Sequence, residues 1–160
     1  MSSIELFQNK TDCCGCSACY NVCPRKAISM QEDEYGYVYP VIDQDKCVGC
    51  GLCRKVCHYQ ADKELRTPIK AYAAAGKKEE FLKKVASGGM FSLAAEKILE
   101  EGGVVFGAAM EYHNNTLIPK HIAVESKEEL FKLQGSKYVQ SFIGDTYAEA
   151  KKYLADGRKV

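Results

Sequence analysis

Nine cysteines are the residues of this sequence with the clearest chemistry, and all of them lie between Cys13 and Cys57. Most are two or three positions apart, a spacing typical of thiolates gathered on metal rather than of a disulfide framework. The odd count agrees with free thiols, and residues 1–9 lack the basic start and apolar run of an export signal. We therefore expect a metal-binding protein of the reducing cytoplasm.

The cysteines form an internal repeat with a period of 34 residues. Residues 13–23 and 47–57 share six identities in eleven positions. The shift superposes Cys13, Cys16, Cys19 and Cys23 on Cys47, Cys50, Cys53 and Cys57. Each copy has the CxxCxxCxxxC spacing and resembles one half of a two-cluster bacterial ferredoxin.

This resemblance implies two 4Fe-4S clusters whose ligands cross between the repeats. Cluster 1 takes Cys13, Cys16, Cys19 and Cys57, and cluster 2 takes Cys47, Cys50, Cys53 and Cys23. Small residues between the ligands let backbone amides approach the sulfurs. A pair of zinc sites is the alternative, although zinc prefers well-separated CxxC pairs.

Two positions depart from the ferredoxin pattern. Cys14 adjoins a ligand and is interpreted as a small buried thiol, with a spare ligand or an oxidation-sensitive site as the alternative. His58 stands where the first copy has Pro24. It is either a half-exposed loop residue or a group that donates to a cluster sulfur or shuttles protons.

Hydrophobic patterning predicts the elements that carry these residues. Residues 27–30 and 37–41 are predicted to form the arms of a hairpin between the two cysteine motifs. Residues 59–68 are polar, end in Pro68 and form the predicted linker. We therefore predict a double 4Fe-4S domain over residues 1–64 and a second domain over residues 69–160.

The second domain is predicted to mix helices and strands. Strands are expected at residues 69–75, 103–112 and 118–124, the last two pairing antiparallel, and helices at 77–85 and 90–101. Ser126 with Glu129, and Thr146 with Glu149, have the spacing of helix capping boxes. Residues 158–160 resemble the start of a further strand, so we expect an incomplete α/β domain within a protein of the α+β class.

Two segments of the second domain have residue types that suit a cofactor. The turn formed by Ser87, Gly88 and Gly89 precedes a predicted helix, where backbone amides could bind a phosphate. The loop GSKYVQS contains Ser136, Lys137 and Tyr138. From composition alone the loop is unassigned, and the glycines are at least as well explained by a structural role.

Together with the double ferredoxin motif, the segments SGGMFSLAAEKILEEGGVVFGAAM and LQGSKYVQS resemble the start of the coenzyme F420 hydrogenase/dehydrogenase beta-subunit family. The resemblance implies clusters combined with a flavin such as FAD, and coenzyme F420 or another acceptor. It also implies that Ser87, Gly88, Gly89, Ser136, Lys137 and Tyr138 belong to the cofactor site.

We therefore expect an iron–sulfur oxidoreductase subunit that works with a redox partner protein. The alternative is a non-catalytic electron carrier whose second domain only docks on a larger enzyme. The net charge of +1 provides no global attraction for nucleic acid, and no apolar run approaches the roughly 20 residues of a membrane span. The three histidines are isolated in sequence, and no hydrolytic set is apparent.

Overall fold

The computed structural model describes residues 4–59 and 67–160. The chain divides into two compact units, Met1–Arg66 and Thr67–Val160. Residues 60–66 of the predicted linker, and with them the predicted end of the first domain at residue 64, lie outside the described residues.

Residues 4–59 of the first unit contain two short α-helices and one hairpin. A 3-10 turn at Lys10–Asp12 is followed by helix α1 (Ala18–Val22), strands β1 (Ile28–Glu32) and β2 (Val38–Ile42), and helix α2 (Leu52–Val56). The two strands pair antiparallel, with Ile28 opposite Ile42. The backbone amides of Tyr35 and Tyr37 donate to Asp33 Oδ1, both at 3.0 Å, and fix the turn. The predicted hairpin is confirmed.

The first unit has a small buried core. Leu6, Ile28 and Cys53 are buried together, with partly buried residues of the N-terminal segment, the first cysteine motif and β2 packed against them. One of the expected metal ligands is thus itself a core residue. The interior of this unit is built largely around its cysteines, which ties folding of the loops to whatever the cysteines bind.

The second unit combines helices with an antiparallel hairpin. Its elements are helices α3 (Glu79–Leu82) and α4 (Met90–Glu100), strands β3 (Val105–His113) and β4 (Thr116–Val124), helix α5 (Thr146–Ala155), and 3-10 turns at Ser87–Gly89 and Lys127–Lys132. Asn114 and Asn115 both have positive φ, as the tight turn between β3 and β4 requires. The predicted hairpin and the predicted helix after Gly89 are confirmed.

The core of the second unit lies between α4, the hairpin and the Lys127–Lys132 turn. Its buried members are Ala95, Leu99, Ala109, Val124, Leu130 and Leu133. The apolar stripe of α4 supplies the first two, which confirms the interpretation of that stripe as core. The Phe142 amide donates to the Pro119 carbonyl, and the His121 amide donates to the Phe142 carbonyl. Phe142 therefore extends the sheet at the outer edge of β4.

The predicted strand at residues 69–75 is wrong. In the described part of the chain these residues form no strand, and Ile69 is fully exposed. A strand needs a ladder partner, and neither β3 nor β4 pairs with this segment. Residues 74–76 instead lie beside the Ser87–Gly89 turn, where the Gly76 amide donates to the Gly88 carbonyl at 2.8 Å.

Neither predicted capping box forms. Ser126 makes no side-chain cap, and Glu129 instead pairs with Lys132 at 2.6 Å, so the segment closes as a 3-10 turn. Asp145, not Thr146, is the residue that precedes α5, and the Thr146 hydroxyl donates to the Ile143 carbonyl. The helix predicted at residues 77–85 is also shorter than expected and spans only Glu79–Leu82.

Helices and strands occur in both units, and the α+β class is confirmed. Across residues 4–59 and 67–160, no helix has the length and apolar character that crossing a membrane requires.

Candidate metal centre

The two cysteine loops have nearly the same backbone conformation. Gly15 and its repeat partner Gly49 have φ of 65° and 69°, and Ser17 and Gly51 have φ of 58° and 74°. These left-handed residues turn each loop immediately before its helix, since α1 and α2 begin at equivalent positions, Ala18 and Leu52. The sequence repeat is therefore a structural repeat.

Each loop lines a cavity together with one cysteine of the other repeat. The Cys57 cavity is lined by Cys57 and by four cysteines of the first loop, namely Cys13, Cys14, Cys16 and Cys19. The Cys23 cavity is lined by Cys23 and by three cysteines of the second loop, namely Cys47, Cys50 and Cys53. The Cys23 cavity thus has the four thiols that a 4Fe-4S cube takes from protein, and the Cys57 cavity has the four expected ligands together with Cys14.

The walls of both cavities are mostly apolar. Leu6, Phe7 and Met30 contribute to the Cys57 cavity, and Ile4, Ile28 and Ile42 to the Cys23 cavity. Apolar walls limit the access of water and lower the local dielectric constant, two of the means by which a protein tunes a cluster. The donor set and its surroundings thus fit iron–sulfur clusters.

Backbone amides point at the sulfurs. The Gly15 amide lies 3.5 Å from Cys13 Sγ, and the Ala27 amide lies 3.3 Å from Cys23 Sγ. Such amides stabilise negative charge on a thiolate and on a cluster that it holds.

Burial dominates the acidity of three of the thiols. It raises the pKa of Cys19 to about 12 against the opposing hydrogen bond from the Tyr20 amide, and it also raises the pKa of Cys13 and Cys53. Without metal, these thiols are therefore protonated at neutral pH, and metal binding displaces the protons. In the described residues, no group of three or more His, Cys, Asp or Glu side chains is placed to hold a single metal ion.

The structure corrects the interpretation of Cys14 as a buried thiol. Cys14 is exposed, although it also lines the Cys57 cavity beside Cys13. Neighbouring side chains on an extended loop project in different directions, and sequence cannot tell which of them meets water. His58 is exposed and lies edge-on to the Tyr59 ring, with 6.1 Å between ring centres.

Charged residues beside the cavities were not singled out from sequence. Arg25 lines the Cys23 cavity, and Asp12 lines the Cys57 cavity. Each stands within two positions of a cysteine, so adjacency to a ligand is the signal that could have identified them.

In the second unit, a hydrogen bond links residues adjacent to the two segments proposed for a cofactor, the Ser87–Gly89 turn and the GSKYVQS loop. Gln134 Nε2 donates to Ser92 Oγ at 3.0 Å and so connects the first turn of α4 to the start of the GSKYVQS loop. Lys137 Nζ donates to the carbonyls of Lys132 and Gln134, at 3.1 and 2.8 Å. Burial lowers the pKa of Lys137, and the Tyr138 side chain is almost fully exposed.

The glycines of the Ser87–Gly89 turn lie against the protein itself. Ser87, Gly88 and Gly89 all have positive φ. A Cβ on Gly88 would lie 2.7 Å from the Ala74 carbonyl oxygen, and one on Gly89 would lie 2.3 Å from the Phe81 ring. The close approach that requires glycine here is therefore an internal packing contact.

One histidine that is isolated in sequence has a partner in the fold. His121 Nδ1 lies 2.9 Å from Ser141 Oγ, and burial lowers the pKa of this imidazole. The pair stands at an open groove of about 320 Å³ between β4 and the start of α5.

Two families match separate parts of the sequence. Residues 12–61 match the 4Fe-4S dicluster domain. Residues 71–144 match the N-terminal domain of the coenzyme F420 hydrogenase/dehydrogenase beta subunit. No solved structure matches the protein.

Several curated proteins resemble about a third of this protein. An uncharacterized ferredoxin of Methanocaldococcus jannaschii is 33% identical over 55 residues, which are 34% of this sequence and 70% of that ferredoxin. A protein of Proteus vulgaris that is named a probable iron–sulfur subunit of the frd operon is 38% identical over 56 residues. These residues are 35% of this sequence and 32% of that protein. One of the chains of the anaerobic dimethyl sulfoxide reductase of Escherichia coli is 44% identical over 48 residues, 30% of this sequence and 22% of its own.

Proposed function

We propose that this protein is an electron-transfer subunit of an oxidoreductase. The premise is its family, in which a 4Fe-4S dicluster domain is joined to the N-terminal domain of the coenzyme F420 hydrogenase/dehydrogenase beta subunit. In this proposal two 4Fe-4S clusters relay single electrons to or from a flavin, and the flavin exchanges a hydride with coenzyme F420 or another acceptor. The subunit works with a redox partner in the cytoplasm, where thiolates stay reduced.

The observation that carries the proposal is the pair of cavities, each lined by three expected ligands of one repeat and one of the other, with Cys14 in addition at the Cys57 cavity. In the proposed assignment Cys13, Cys16, Cys19 and Cys57 hold cluster 1, and Cys47, Cys50, Cys53 and Cys23 hold cluster 2. The crossed ligands fasten the two repeats together. The apolar walls exclude water, and the amides of Gly15 and Ala27 stabilise charge on the sulfurs.

The flavin part of the proposal is supported by the match of residues 71–144. The proposed cofactor residues remain Ser87, Gly88, Gly89, Ser136, Lys137 and Tyr138. The bond between Gln134 and Ser92 supports their grouping, because it ties together the two segments that contain them.

A specific observation favours the second candidate, a non-catalytic carrier that docks on a larger redox enzyme. Gly88 and Gly89 pack against their own chain, and the Lys137 amine is bonded to two backbone carbonyls. These contacts explain the residues without a bound flavin. The carrier role is also consistent with relatives named as iron–sulfur subunits or chains of redox systems.

Iron and acid-released flavin, measured per chain in anaerobically purified protein, test both candidates. Two 4Fe-4S clusters correspond to about eight irons per chain. Full iron with near-stoichiometric flavin is expected for the proposed subunit. Full iron without flavin would favour the carrier, and colourless protein containing zinc would overturn both.

A further inference from the structure

The two halves of the first unit share a backbone but present different surfaces. At equivalent positions of the repeat, Val48 replaces Cys14 and Leu52 replaces Ala18. Val48 and Leu52 line the Cys23 cavity, and they are 56% and 39% exposed. The second loop therefore places apolar side chains in solvent around a proposed cluster.

One ligand of that loop is also accessible. Cys50 is exposed, whereas its repeat partner Cys16 is half-buried. Gly49 is exposed, and a Cβ added to it would meet nothing within 4 Å, so the backbone just before Cys50 faces open space. Another protein can approach the loop closely, and short separation between redox centres favours electron exchange.

Four cations lie beside the Cys23 cavity or close to the second loop in the chain. Arg25 lines the Cys23 cavity, and Lys26 follows it in the chain. On α2, Arg54 and Lys55 are exposed at positions where α1 has the half-buried Tyr20 and Asn21. Within the described part of the chain, none of these four cations forms an ion pair.

Among residues 4–59, negative charge lies mostly elsewhere. The hairpin turn contains Glu32, Asp33 and Glu34 in succession. Close to the second loop, Asp43 is already paired with Lys46 at 2.7 Å, which leaves Asp45 as the nearest unpaired carboxylate in sequence. In the described residues near the second loop, unpaired cations therefore outnumber unpaired carboxylates, although the ferredoxin-like unit as a whole is not cationic.

We propose that the Cys50 face, formed by Arg25, Lys26, Val48, Leu52, Arg54 and Lys55, is the docking surface for an acidic redox partner protein. This inference rests on the proposed electron-transfer function. The exposed Val48 and Leu52 form the dry centre of the contact, and the cations around them pair with carboxylates of the partner. The partner gains or loses one electron at this face, and the protein loses or gains the same electron.

Cytochrome c supplies a matched pair of acceptors for the test. The native protein is basic, and succinylation of its lysines makes the same haem protein acidic. The full chain, reduced anaerobically with dithionite and freed of excess reductant, is mixed with each form in a stopped-flow instrument while haem reduction is recorded. We expect the acidic form to be reduced roughly tenfold faster at low ionic strength, and high salt to remove this advantage.

The double substitution Arg54→Glu and Lys55→Glu should remove or reverse the preference, with iron content and cluster absorbance unchanged. The matched control is Lys151→Glu and Lys152→Glu, which makes the same change in net charge on exposed residues of α5. The control should keep the preference. Equal effects of the two double variants, or none, would show that net charge or another face governs the reaction and would overturn the docking surface.

The failure of the docking proposal can be told from the failure of the proposed function. Clusters that reduce normally but show no dependence on the Cys50 face overturn the docking proposal alone. If dithionite bleaches no iron–sulfur absorbance in the wild-type chain, both proposals fall together.

Discussion

Cys14 and Cys16 stand two positions apart in one loop, and both line the Cys57 cavity. The repeat distinguishes them, because Cys16 superposes on Cys50 whereas Cys14 superposes on Val48. A residue whose repeat partner is valine is not required in the ligand set of the duplicated unit. Cys14 is also exposed, which agrees with a side chain turned away from a cluster.

This contrast gives a prediction for two serine variants. Cys16→Ser should lose about four of the eight irons, those of the proposed cluster 1, and keep much of the other cluster. Cys14→Ser should keep its full iron content. Iron analysis with low-temperature EPR of the reduced proteins checks both, and equal iron loss in the two variants would contradict the ligand assignment.

At the scale of elements, two glycines with the same backbone conformation differ in how tightly the chain packs around them. Gly88 and Gly102 have nearly equal φ, 71° and 73°. A Cβ on Gly102 meets nothing within 4 Å, whereas one on Gly88 would lie 2.7 Å from the Ala74 carbonyl oxygen. The two positions therefore form a matched pair in the same unit.

We predict that Gly102→Ala lowers the free energy of unfolding of the second unit by about 1 kcal/mol, the cost of a left-handed alanine. Gly88→Ala should lower it by about 3 kcal/mol, because overpacking against Ala74 is added. Urea unfolding followed by hydrogen exchange at amides of residues 67–160 measures both. Similar losses for the two variants would mean that residues 74–76 do not pack on the turn as described.

Local sequence patterns correctly predicted the elements whose formation depends on a single segment of the chain. The helix after Gly89 and the β3–β4 hairpin follow from apolar periodicity and from the Asn114–Asn115 turn. The strand at residues 69–75 was wrong because a run of apolar and small residues says nothing about whether a ladder partner is free. The capping boxes failed because Lys132 competes for Glu129, and because α5 begins one residue after Asp145.

At the scale of the whole molecule, the two units differ in what holds them together. The buried cluster of the first unit contains Leu6, Ile28 and Cys53, one of which is a proposed ligand. The second unit has a contiguous core of six buried residues and contains no cysteine. Loss of metal should therefore affect the two units unequally.

We predict that removal of iron by a chelator and an oxidant unfolds the described residues 4–59 and leaves residues 67–160 folded, because metal binding and folding are coupled in the first unit. Amide hydrogen exchange of the full chain, with and without iron, checks this. Protection should vanish in the first unit and persist in β3 and β4. A well-dispersed NMR spectrum from the metal-free first unit would contradict the coupling.

The order of residues was enough to predict the family and the α+β class, and it is the basis of the proposed grouping of the cysteines, because ligand spacing and a 34-residue repeat are local properties that need no coordinates. The folded chain was needed to learn which surfaces the repeats present. It placed Cys14 and Cys50 in solvent, packed Gly88 against Ala74, brought Ser141 to His121 and set Arg25 at the rim of the Cys23 cavity. These outcomes depend on contacts between segments distant in the chain and on exposure to water, neither of which has a fixed signature in the order of residues.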